Sequence, residues 1–70
     1  MKPKEWAKRL YDLNAEHVQT NELSVDARVE LIIEMADDDE RTTFNSADLS
    51  RDDYGEMYEE IYRLIEESNA

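Results

Sequence analysis

The sequence predicts a small all-α domain, a three-helix bundle with one long acidic loop between its second and third helices. Three observations carry this expectation. Apolar residues recur at helical spacing in three separate segments. A serine suited to helix capping stands before two of those segments. The chain has 70 residues and no cysteine, so disulfides and thiolate metal sites are excluded and cohesion must come from efficient helix packing or from another chain. A single domain, residues 1–70, follows from the length; a chain this short buries only about 60% of the surface its unfolded form exposes.

The first helix is expected over about residues 3–18. Pro3 suits a first helical turn, where its missing N–H costs nothing. Trp6, Leu10, Leu13 and His17 then recur at four, three and four residues, with Ala7, Tyr11 and Val18 on an adjoining stripe. Glu5 and Arg9 are spaced for an i,i+4 ion pair. The second helix is expected over 24–38, capped by Ser24. Val25, Val29, Ile32, Ile33 and Ala36 share a face that Leu31 and Met35 widen beyond half the circumference. A helix so broadly apolar is central in its bundle or also covered by a partner.

Residues 37–49 break the pattern and form a connection that is long for a compact bundle. Arg41, Thr42, Thr43 and Phe44 have the composition of a short extended piece, with Phe44 as a hydrophobic plug. The third helix is expected over 50–67. Ser50 and Asp53 have capping-box spacing, Leu49 can staple against Tyr54, and Met57, Tyr58, Ile61, Leu64 and Ile65 continue the helical period. Gly55, the only glycine, costs about 1 kcal/mol against alanine inside a helix, a cost that close approach of another backbone would explain.

Charge is the second theme. The formal net charge is −11, from 19 Asp and Glu against 8 Lys and Arg. It is unevenly divided: Lys2, Lys4, Lys8 and Arg9 leave residues 1–11 at +3, and the remainder at −14. Glu22, Asp26, Glu30, Glu34 and Asp38 fall four residues apart, a row of carboxylates stepping about 6 Å along a helix, close to the phosphate spacing of one nucleic-acid strand. Like charges at i,i+4 each cost about 0.2–0.5 kcal/mol, and only the first of them gains from the helix dipole. Asp37, Asp39 and Glu40 extend the row into the loop.

Several chemistries find no support in these residues. No nucleophile stands beside a base, His17 falls among core positions, and solvated carboxylates lack the desolvation that acid–base work needs; no catalytic site and no enzyme are expected. The loop fails the EF-hand pattern whether begun at Asp37 or Asp48, which leaves at most weak divalent binding by Asp37 to Glu40. No metal or other cofactor is expected. One glycine cannot build a phosphate-cradling loop. Direct binding of nucleic acid is opposed by the sign of the charge. No stretch approaches the ~20 apolar residues of a membrane span, and the start lacks the apolar core of a signal peptide, so a cytoplasmic protein is expected.

The remaining class is protein–protein interaction. The leading expectation is an acidic inhibitor or modulator that covers a basic, nucleic-acid-binding surface of a partner by imitating a nucleic-acid backbone, in the manner of phage or mobile-element proteins, which would act in the host cytoplasm. Glu22, Asp26, Glu30, Glu34, Asp37, Asp38, Asp39 and Glu40 would make that contact. The alternative is a structural or assembly protein that forms a homodimer, or docks, through apolar helix faces. Tyr54, Tyr58, Tyr62 and Leu31 mark that second interface, and the acids would then only solubilise.

Overall fold

A computed structural model describes residues 2–19 and 22–68. Three α-helices form, α1 (Pro3–Asn14), α2 (Val25–Asp37) and α3 (Arg51–Ser68), with short 3-10 turns at Ala15–Val18, Glu40–Thr42 and Ser46–Asp48. The all-α, three-helix architecture is the one the apolar spacing predicts.

Local chemistry starts each helix. Pro3 opens α1, and the Lys2 backbone N–H donates to the Glu5 carboxylate at 3.1 Å. Glu5 is thus turned back to the helix start, away from the anticipated pairing with Arg9. At α2 the Ser24 hydroxyl accepts from the Ala27 N–H at 3.2 Å, and at α3 the Ser50 hydroxyl accepts from the Asp53 N–H at 3.1 Å. Each bond satisfies one of the amides that a helix start leaves unpaired.

The core is one cluster. Leu10, Ile32, Met57, Ile61 and Val29 are its largest fully buried side chains, joined by Ala7, Val18, Ile33, Ala36, Phe44 and Ile65. Leu31 and Met35 lie half-buried against it, as do Tyr54, Tyr58 and Tyr62. The broad apolar arc of α2 is therefore largely taken up inside the bundle. On α1 the buried face is set by Ala7 and Leu10. Leu13 lies about 100° round the helix from Asn14 and is 49% exposed. His17, expected among core positions, is exposed on the 3-10 turn that ends this segment. Small Ala7, more than bulky Leu13, defines the side on which α1 packs, because a short side chain lets a neighbouring helix come close.

The anticipated extended piece takes another form. Glu40–Thr42 is a 3-10 turn, and Thr43 follows with φ 56°, in the left-handed region that a β-branched residue seldom occupies. The buried Thr42 hydroxyl organises this bend: it reaches the carbonyls of Asp39 (2.8 Å) and Ala36 (3.1 Å) and accepts from the Phe44 N–H (3.2 Å). Phe44 then points inward and meets Trp6 of α1, ring centroids 5.0 Å apart and planes tilted by 57°. It is the plug its apolar character suggested. The radius of gyration, 11.2 Å, matches the roughly 11 Å expected of a compact chain this long, so the loop lies on the bundle and does not project from it.

Two substitutions test this packing. Thr42→Val keeps the shape but leaves the buried Phe44 amide without its acceptor, and should lower the urea-unfolding free energy by about 1–3 kcal/mol, with Thr42→Ser retaining most of it. At Gly55, a Cβ would meet nothing within 4 Å, so no neighbour among the described residues requires the glycine. Gly55→Ala should raise stability by about 1 kcal/mol, or about 4–8 °C in Tm by calorimetry.

Candidate functional site

The acidic row is shorter than its sequence spacing implies. Glu22 lies in the turn before the Ser24 cap, outside α2, because the cap fixes where the helix can begin. Asp26, Glu30 and Glu34 stand on α2, and Asp38 is its C-terminal cap residue, still with right-handed helical dihedrals. All four are exposed. Four residues advance about 400° round a helix, so each carboxylate is rotated about 40° from the last. The row is a right-handed winding strip, with about 18 Å of rise from Asp26 to Asp38.

The acids beyond it divide by function. Asp37 accepts from the Ser46 N–H at 2.7 Å and from the Ser46 hydroxyl at 2.6 Å. Its carboxylate ties the end of α2 to the second half of the loop. Asp39 accepts from the Arg41 backbone N–H and from two guanidinium nitrogens, each at 3.0 Å. The Arg41 side chain and amide hold the Asp39 carboxyl below its ordinary range. Both residues thus do local work against the unfavourable dipole at a helix C-terminus. Glu40, in contrast, is exposed and makes no ion pair among the described residues. On α3, Arg63 pairs with Glu60 and with Glu67, the latter at 2.5 Å, leaving Asp52, Glu56 and Glu59 as its exposed acids toward the N-terminal half.

The two surfaces expected to act separately meet at one point. The Tyr58 hydroxyl donates to the Asp26 carboxylate at 3.0 Å and lies 3.3 Å from the Asp26 carbonyl. A bond between residues 32 positions apart fixes α3 against the start of α2. Tyr54 sits one turn away, its ring centroid 6.3 Å from that of Tyr58. Burial pushes the Tyr58 phenol up to about 12, helped by the hydrogen bond to Asp26 and by the charges of Asp26 and Glu30. Tyr62 and Leu31 are half-buried against the core and contribute only their margins to the surface. The Tyr58–Asp26 link was not legible, since the tyrosine spacing shows a shared face but not what lies opposite.

Among the described residues, no three His, Asp or Glu side chains converge as ligands of a metal ion would. No helix is long and apolar enough to cross a membrane. A shallow depression lined by Lys4, Glu5, Lys8, Arg9, Asp12 and Leu13 lies along the outside of α1; one convex helix lines it, so it encloses nothing. No protein-family model, curated protein or solved structure matches the chain.

The phenol provides a clean readout. A tyrosine whose folded pKa is raised contributes stability that is complete below its unfolded value near 10 and is lost as pH rises through about 12. In an ultraviolet titration one of the four tyrosines should ionise last, near pH 12. Tyr58→Phe should remove that step and lower stability at neutral pH by about 0.5–1.5 kcal/mol.

Proposed function

We propose that the protein is an acidic interaction module that covers a basic surface of a partner protein. The observation that supports this most is what remains exposed after folding. Glu30, Glu34 and Asp38 stand outward on consecutive turns of α2, with Glu40 beyond them, and none makes an ion pair among the described residues. A face meant only to keep the chain in solution could intersperse lysines and avoid the repulsion between neighbours. Carboxylates at about 6 Å intervals along a winding strip suit a row of Arg and Lys side chains that otherwise meets phosphates.

The proposed action is inhibition or modulation by occupying such a surface, with no chemistry performed. A nucleic-acid-handling enzyme of a host cell, met by a phage or mobile-element protein in the host cytoplasm, is the setting that charge and size suit best. Of the eight carboxylates first considered, Asp26, Glu30, Glu34, Asp38 and Glu40 are the proposed contacts. Asp37 and Asp39 hold the loop, and Glu22 stands apart from the strip. The alternative, assembly through apolar helix faces, has less to draw on. Leu31, Tyr54, Tyr58 and Tyr62 already rest on the core.

Charge-mediated binding associates fast and weakens steeply with salt. Captured from the source cell at low salt, the partner should be a basic protein released both by about 1 M salt and by competing nucleic acid. Glu30→Gln/Glu34→Gln should retain about tenfold less of it, at two lost charge contacts. A partner held equally well in high salt, and by the double variant, would sink the proposal.

A further inference from the structure

Thr43, Phe44 and Asn45 are tethered on both sides to the end of α2. On one side the Thr42 hydroxyl donates to the Ala36 carbonyl at 3.1 Å. On the other, the Asp37 carboxylate accepts from the Ser46 amide and hydroxyl at 2.7 and 2.6 Å. Ala36 and Asp37 are the last two residues of that helix. Among the described residues, the hydrogen bonds of residues 39–46 end on α2 or within the loop itself. What reaches α1 is apolar: the Phe44 ring, 5% exposed, set against Trp6.

We propose that this segment is a two-state latch hinged at Thr43. Closed, Thr43 holds φ 56°, where a branched Cβ is crowded and from which extended backbone is the relaxed alternative. The Thr42 hydroxyl spans the hinge and accepts from the Phe44 N–H at 3.2 Å. Turning Thr43 to extended dihedrals breaks that bond and swings Phe44 away from Trp6. Both tethers to α2 hold, and the three helices stay folded. A hinge is commonly a single loop position that absorbs such a change. Burial of Phe44 keeps the latch shut, and the conformation of its neighbour works against it.

The balance is local, so the latch opens ahead of the bundle. Between Ala36 and Met57 the buried hydrophobic side chain is Phe44 alone, and none of the wholly buried residues Leu10, Val29, Ile32, Met57 and Ile61 belongs to the latch. Segments with so little buried apolar surface open at lower free energy than the core. Open, the latch turns an aromatic ring outward four residues after the exposed Glu40. Aromatic side chains are strong anchors in protein contacts, so a partner held by the acidic strip gains from the open form. That use rests on the proposed function; the opening needs no partner and is measured without one.

Native-state hydrogen exchange of the full chain, read by NMR, is the test. The Phe44 amide should exchange faster than the Ile32 and Met57 amides, through an opening of its own. Ile61→Val loosens the bundle and leaves the latch untouched. It should speed exchange at Ile32 and Met57 several-fold without moving Phe44. Thr43→Gly accepts the left-handed conformation without a Cβ penalty, and should slow Phe44 exchange about threefold to tenfold. Thr43→Val keeps the branched Cβ but loses the Thr43 hydroxyl bond to the Thr42 carbonyl, and should speed it about threefold. Two results would overturn the proposal. In one, Phe44 accelerates in step with the core amides in Ile61→Val, so that the loop opens only when the whole chain unfolds. In the other, Phe44 exchange is no slower in Thr43→Gly, so that Thr43 is not the hinge. Partner capture reads the acidic strip separately, and its outcome leaves these rates unchanged.

Discussion

Everything in this molecule depends on one cluster of buried side chains shared by all three helices. Leu10 of α1, Val29 and Ile32 of α2, and Met57 and Ile61 of α3 are wholly removed from solvent, each contributing about 1.5–3 kcal/mol. With no disulfide available, no helix has another anchor of comparable size. The cluster also determines what is left over. It takes the apolar face of α2 and the inner halves of Leu31, Met35 and the tyrosines, so the surface is dominated by charge. Function has to be sought among carboxylates and cations because the core has used most of the rest.

The charges then fall into two kinds. Some relieve local problems: Asp37 holds Ser46, Asp39 holds Arg41, Glu60 and Glu67 share Arg63, and Asp26 accepts from Tyr58. Others make no ion pair among the described residues. Glu30, Glu34 and Asp38 lie on α2, and Lys4 and Arg9 on α1. Core packing leaves both groups exposed. The repulsion stored along α2 is the feature that the proposed partner contact would relieve.

Much of the fold was legible because caps and apolar periods are local signals. Ser24 and Ser50 start their helices, and Phe44 plugs the loop, each for the reason its residue type suggests. Legibility failed where a choice depended on a distant neighbour. Leu13 and Ala7 both fit an apolar stripe, and only the position of the other helices decides between them. The loop's chemistry was partly readable in retrospect. Asp39 with Arg41, and Asn45 with Ala47, have the two-residue spacing of side chains that bond a nearby amide. That signal would have separated the loop-holding Asp39 from the outward Glu40. Asp37 and Ser46, nine residues apart, carry no comparable mark. Among the row itself, Glu22 was misplaced by counting in fours through a cap.

The central claim is that the α2 strip is a surface the fold tolerates at a cost. The most direct measurement is the thermal stability of Glu30→Gln across ionic strength, with no partner present. Glu30 has a like-charged neighbour on each side, Asp26 and Glu34, so neutralising it should stabilise the chain by about 0.4–1 kcal/mol at low salt, a rise in Tm of a few degrees. The gain should fade as the Debye length shrinks to about 3 Å near 1 M salt. A lower Tm for Glu30→Gln at low salt would show that the carboxylate supports the fold, and would contradict the claim.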